Sequence, residues 1–119
     1  LCEEQGKHQQ AFDLAQRGLE IAPNYIDLID TRGVIYYRLG QLDKAAQDFN
    51  MCLTLYPTGT PALTASYFHL GRALAELGQK EEAIEKLNKA LELNAEIEGL
   101  SNADIEEAQR LLQELSLGE

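Results

Sequence analysis

The chain of 119 residues has no tryptophan, one methionine, three prolines and two cysteines. Two cysteines, Cys2 and Cys52, make no disulfide framework at this length, and no CxxC or Cys/His cluster offers a zinc site. No apolar run approaches the roughly 18 residues needed to cross a bilayer. Basic side chains are scarce: ten Lys and Arg stand against twenty Asp and Glu, a net charge of −10. Without a basic patch, no nucleic-acid partner is expected, and an anionic membrane surface is disfavoured on the same ground. A signal peptide is missing too, which is silent about compartment. The chain opens Leu1-Cys2-Glu3 without Met, and we expect it to be a piece of a longer protein.

Catalytic constellations are also missing. His8 and His69 have no Cys, Asp or Glu at metal-ligand spacing, and Ser66, Ser101 and Ser116 have no His/Asp arrangement. The glycines between Gly71 and Lys80 do not follow phosphate-loop spacing. Glu81-Glu82 and Glu106-Glu107 are adjacent on helices, do not face each other, and read as solvated faces. We expect no enzyme, no cofactor and no metal.

What is present is a period. Gly6, Ala11 and Pro23 return as Gly40, Ala45 and Pro57, 34 residues on (40 − 6). Gly78 and Ala83 follow 38 residues later (78 − 40). Such a period marks stacked supersecondary units. In the middle one, Asn24 reads as an N-cap with Asp27 three residues on. Ile26, Ile29, Gly33, Tyr36, Tyr37 and Leu39 then follow a helical period, and Gly40 ends that helix. A second helix over about 42–55 carries Leu42, Ala45, Ala46, Phe49, Cys52 and Leu53 on one side, with Cys52 as a buried small hydrophobe, until Pro57 stops it. Glycine inside a helix costs about 1 kcal/mol relative to Ala. Close approach of the partner helix at Ala45 is expected to offset that cost at Gly33, with Gly71 and Ala83 repeating the arrangement.

These residues resemble the tetratricopeptide repeat, whose pattern is W-x2-L-G-x2-Y, A-x3-F and P. The middle unit reads Ile29-x2-Arg32-Gly33-x2-Tyr36, Ala45-x3-Phe49 and Pro57. The third reads Tyr67-x2-Leu70-Gly71-x2-Leu74 and Ala83-x3-Leu87, with Ala90, and has Ala95 in place of proline. The first is a fragment whose leading helix survives as Leu1 to Gln5. The departures Ile29, Arg32 and Ala95 concern packing. The resemblance, over roughly residues 1–95, implies an all-α, right-handed helical-repeat solenoid of antiparallel helix pairs. The expected divisions are a truncated first repeat (1–23), a second (24–57), a third (58–95), and a connector with a C-terminal capping helix (96–119).

Two further expectations concern the additions to this pattern. The extra four residues fall within Thr58 to Leu63, where Thr60-Pro61 reads as N-cap and first helical position. They should lengthen the third leading helix by a turn, to about 61–77, rather than make a floppy loop. Ser101-x2-Asp104 starts a last helix over about 102–116, with Ile105, Ala108, Leu111, Leu112 and Leu115 facing inward. Its polar face is Glu106, Glu107, Gln109, Gln113 and Glu114, as a capping helix requires. Residues 92–119 hold eight acidic side chains and one basic, net −7, against −3 for residues 1–91, with twelve and nine. The excess reads as a solubilising end-piece, with a basic partner left open.

The resemblance implies a protein–protein interaction module whose concave face is lined by the leading helices. The implied peptide-binding residues are Asp27, Asp30, Val34, Tyr37 and Arg38 from the second unit. Phe68, Arg72 and Glu76 come from the third, beside Ala65 and Ala75. Tyr37 and Phe68 offer flat apolar area, and Arg38 and Arg72 can hold a carboxylate or stack. Taken singly, each has another reading: Tyr37 and Phe68 as packing between units, Asp27 and Asp30 as members of surface ion pairs worth under about 1 kcal/mol. Some members of the family grip C-terminal carboxylates with a lysine-and-asparagine clamp. Here Asp30, Val34, Ala65 and His69 occupy those places, so chaperone-tail recognition of that kind is not expected. The partner is an unidentified protein or peptide. The rival readings are a structural module, a homodimer through the truncated N-terminal face flanked by Phe12, Ala15 and Leu19, and an accessory domain of a larger, enzymatic protein.

Overall fold

The computed structural model describes residues 2–23 and 25–117. It contains α1 (Cys2–Ile21), α2 (Ile26–Arg38), α3 (Leu42–Leu55), α4 (Pro61–Glu76), α5 (Lys80–Glu96) and α6 (Asn102–Leu117), with no strand among the described residues. Each helix packs on its chain neighbour. In addition the backbone of α4 comes close to both α2 and α6, while the backbones of α1, α3 and α5 do not approach one another among the described residues. The even-numbered helices thus form an inner layer and the odd-numbered ones splay outward. This is a solenoid of antiparallel helix pairs closed by a capping helix.

Both tight turns have the same cause. Gly40 has φ +82° and Gly78 φ +83°, a left-handed conformation open to glycine at little cost. The N–H of Gly40 donates to Tyr37 O (3.1 Å) and that of Gln41 to Tyr36 O (2.9 Å). Gly78 and Gln79 repeat this with Ala75 O (3.2 Å) and Leu74 O (3.0 Å). These are paired bonds of the Schellman type, satisfying the last carbonyls of α2 and α4. Pro57 ends α3 as expected: Tyr56 before it is extended, with ψ 135°.

Gly6 does not behave like Gly40. The expected turn after Leu1 to Gln5 is absent, and α1 runs uninterrupted from Cys2 to Ile21. No neighbour lies within 4 Å of a β-carbon built on Gly6, so no packed partner helix enforces a reversal there. Asn24, expected as an N-cap, lies outside the described residues; α2 begins after Tyr25 in extended conformation.

The close approach at the interior glycines is present, but its partner sits one turn further along. A β-carbon on Gly33 would stand 2.8 Å from Phe49 and 3.2 Å from Asp48 Cβ; one on Gly71 would meet Leu87 at 2.8 Å. Ala45 and Ala83 are buried without being the nearest atoms. An antiparallel partner brings the A-x3-F aromatic position, rather than the alanine, over the glycine.

The insertion is helical. α4 has 16 residues against 13 in α2, ending one residue short of expectation. Thr60 stands at the N-cap position with Pro61 next, but its hydroxyl donates to Pro57 O (2.9 Å) and caps nothing. With Ala95 in place of proline, α5 continues to Glu96, so the connector starts later than expected. Asn94 Oδ1 holds it by accepting from Gly99 N (3.0 Å) and Leu100 N (3.1 Å). Ser101 caps α6, its Oγ accepting from Asp104 N (3.1 Å).

Three linked clusters form the core. Leu19, Ile29 and Cys52 join α1 to α3; Ala45, Ala46, Phe49, Leu70, Leu74 and Ala83 join α3 to α5; Phe68, Leu87, Ala90 and Ala108 join α4 to α6. Leu111, Leu112 and Leu115 complete the seat of α6. Arg32, which stands where the repeat pattern has Leu, ties three helices together. Its Nε and Nη2 donate to Asp48 of α3 at 2.8 and 2.7 Å, and its Nη1 to Gln16 of α1 at 2.7 Å.

Candidate functional site

Helical spacing puts Asp27, Asp30, Val34, Tyr37 and Arg38 along one side of α2. Asp27 is exposed, and its Oδ1 accepts from Tyr56 OH (3.2 Å). Asp30 is half-buried; its Oδ1 is buried without a hydrogen-bond partner, and burial first, then the Asp27 charge, raise its carboxyl above the ordinary range. Asp30, Val34 and Arg38 join Ala11, Thr31 and Ile35 around a cavity of about 240 Å³ between α1 and α2. Arg38 itself is exposed.

The centre of the inner layer lies where α2, α4 and α6 meet. The Arg72 guanidinium lies over the Tyr37 ring at 4.4 Å and the Phe68 ring at 5.1 Å. Its Nη1 donates to Glu107 Oε2 (3.4 Å) and its Nη2 to His69 Nδ1 (3.4 Å), while Nε is buried without a partner. Arg has no acceptor, so His69 receives at Nδ1 and carries its proton on Nε2. The Tyr37 hydroxyl is pushed above its ordinary range by burial first and by its hydrogen bond with Glu76 second. Glu76 is exposed.

Phe68 corrects the sequence reading. It is 0% exposed and belongs to the cluster with Leu87, Ala90 and Ala108, so it offers no area to a guest. His69 lies between Phe49 (5.3 Å, stacked) and Phe68 (5.6 Å) and is a packing residue. Burial, followed by the Arg72 charge, lowers its pKa to about 4. Burial also pushes the Cys52 thiol up to about 12, with Asp30, Asp48 and Asp27 adding to the rise, and this cysteine is inert core.

Glu107 was expected on the outer face of α6 and instead turns inward to Arg72. The rival homodimer reading finds no support in the residues named for it: Ala15 and Leu19 are buried, and the Phe12 ring packs edge-on against Tyr36 at 5.2 Å. These side chains serve the α1–α2 contact. Sequence reasoning missed Asp48 and Glu107, because both sit at acidic positions that read as solvated. The one available signal for Asp48 was a cationic Arg32 at an apolar pattern position.

A family model described as Tetratricopeptide repeat matches residues 25–96. The chain is 31% identical over 90 residues to heat shock protein STI1 of Saccharomyces cerevisiae, covering 74% of this chain and 14% of that protein. It is 33% identical over 91 residues to tetratricopeptide repeat protein 14 of Mus musculus, covering 76% of this chain and 11% of that one. It therefore spans only a small fraction of these curated relatives. Among solved structures, the first TPR of Spaghetti (RPAP3) bound to the HSP90 peptide SRMEEVD superposes with TM-score 0.74 at 26% identity, covering 95% of this chain and 83% of that one.

Proposed function

Because the chain belongs to the tetratricopeptide repeat family, we propose that it is an interaction module holding a peptide segment of a partner protein against its inner face. The contacts come from Asp27, Asp30, Val34, Tyr37, Arg38, Arg72 and Glu76. One observation supports this reading: the Arg72 guanidinium of α4 lies over the Tyr37 ring of α2 and 3.4 Å from Glu107 of α6, a rigid polar and aromatic group that links the three inner helices. A tyrosine loses little rotamer entropy when a guest arrives, and the Arg72 side chain is already ordered by its stacking on Tyr37 and Phe68. The peptide-bound domain of Spaghetti, on the same fold, supports a peptide as the class of guest. An acidic C-terminal tail like that peptide is not the guest we propose, since acidic Asp30 and a neutral, enclosed His69 stand at clamp positions. Peptide display against the wild type, followed by titration of the selected sequences on Val34→Asp with Arg38→Ala, tests the reading. The expected loss is at least about tenfold, or 1.4 kcal/mol; unchanged affinity contradicts it.

A second reading concerns the parent protein. Relatives of which this chain covers 14% and 11% favour a module carried by a longer chain. The full reading frame decides whether an enzymatic domain accompanies it.

A further inference from the structure

The protein contains two buried-edge arginines in contrasting states. Arg32 has a short bond at each of its three nitrogens: two reach Asp48 at 2.7 and 2.8 Å and the third reaches Gln16 at 2.7 Å. Arg72 is not. Its two polar contacts are both 3.4 Å, well beyond the roughly 2.7–2.9 Å of a charge-assisted N–H···O bond, and Nε has no partner. Its plane is nonetheless fixed by the rings of Tyr37 and Phe68. Glu107, its carboxylate neighbour, is shared with Arg110 at 3.7 Å, while Arg110 bonds Glu114 at 2.9 Å. Glu107 is therefore loosely held by both cations.

We propose that Arg72 is the residue that reads a side-chain carboxylate of the bound peptide, and that Glu107 of α6 occupies this place in the free chain and is displaced by the guest. The inference rests on the inner-face reading above and gives that face a specificity and a built-in competitor. The guest carboxylate forms the short bonds that Glu107 does not. Asp27, Asp30 and Glu76 line the same face, so the acidic residue of the guest is single and is flanked by basic ones. A partner lacking that carboxylate binds more weakly, because displacing Glu107 would strip Arg72 of its carboxylate and put nothing in its place.

The test is an NMR titration following the Arg72 side-chain resonances. The probe is an acetylated, amidated pentapeptide, Lys-Ala-Glu-Ala-Lys, compared with its Gln counterpart and with the Gln counterpart carrying a free terminal carboxylate. The Glu peptide is expected to shift Arg72 saturably, and Glu107→Gln to tighten it at least threefold with unchanged circular dichroism. Arg72→Lys, which keeps the charge but loses the fork, is expected to weaken it at least fivefold. The inference is overturned if the Gln peptide binds as well, if the terminal carboxylate serves equally, or if Glu107→Gln weakens binding. The groove reading fails separately, on the Val34 and Arg38 variants, which leave Glu107 and Arg72 untouched.

Discussion

The edge of the Phe49 ring lies 2.8 Å from the place where a β-carbon on Gly33 would stand. Phe49 is wholly buried, so its ring has nowhere to retreat. Gly33→Ala gains about 1 kcal/mol of helix propensity and loses more to the forced repacking. We expect a net destabilisation of about 1–2 kcal/mol in urea unfolding. A gain in stability would mean that α2 and α3 are further apart than described.

Arg32 and Asp48 form an asymmetric pair, with side-chain exposures of 22% and 5%. Removing Asp48 leaves an arginine that water can still reach. Removing Arg32 leaves a carboxylate in the core, and breaking a buried pair in that way costs about 3 kcal/mol or more. Arg32→Leu, although it restores the repeat pattern, should therefore destabilise more than Asp48→Ala. The reverse order in denaturant titrations contradicts this account.

Phe68 and Tyr37 separate stability from binding. Phe68→Ala empties a fully enclosed site and should cost about 3–5 kcal/mol. Tyr37→Ala removes a half-buried ring and its cation–π contact, worth about 1 kcal/mol, so the fold persists while affinity for selected peptides falls. Thermal melts read alongside peptide titrations distinguish the two residues.

His69 makes stability depend on pH. Its folded pKa of about 4 lies below the unfolded value of about 6.5. The unfolded state therefore binds more protons between these values, and stability falls as pH drops through that window. The loss attributable to His69 approaches about 3 kcal/mol below pH 4, whereas above pH 6.5 its contribution is complete. Asp30, with its carboxyl raised, acts in the opposite sense. Urea midpoints of wild type and His69→Gln across pH 4–7.5 should converge toward the acid end. Parallel profiles contradict the assignment.

Much of the architecture was legible because glycine and proline act locally. Gly40 and Gly78 reverse the chain through backbone conformation alone, Pro57 stops α3 by its missing N–H, and the length of α4 followed from Thr60-Pro61. Gly6 misled because a glycine permits a turn without requiring one; the turn needs a second helix to pack against. The candidate face was legible less evenly. Spacing placed Asp27 to Arg38 on one side of α2, but which aromatic points inward depends on the angle between units. Phe68 was therefore assigned to the surface although Leu87 and Ala108 enclose it. Glu107 lay beyond reach for the same reason, since its contact with Arg72 is set by how α6 crosses α4.

The central claim, that a peptide sits on the inner layer, is tested most directly by mapping backbone amide shifts of the labelled protein on adding a peptide selected by display. The account predicts shifts concentrated on Val34, Tyr37, Arg38 and Arg72, with α3 and α5 residues such as Met51, Glu85 and Asn88 unmoved. Shifts centred on Met51, Glu85 and Asn88, with the inner residues silent, would contradict it.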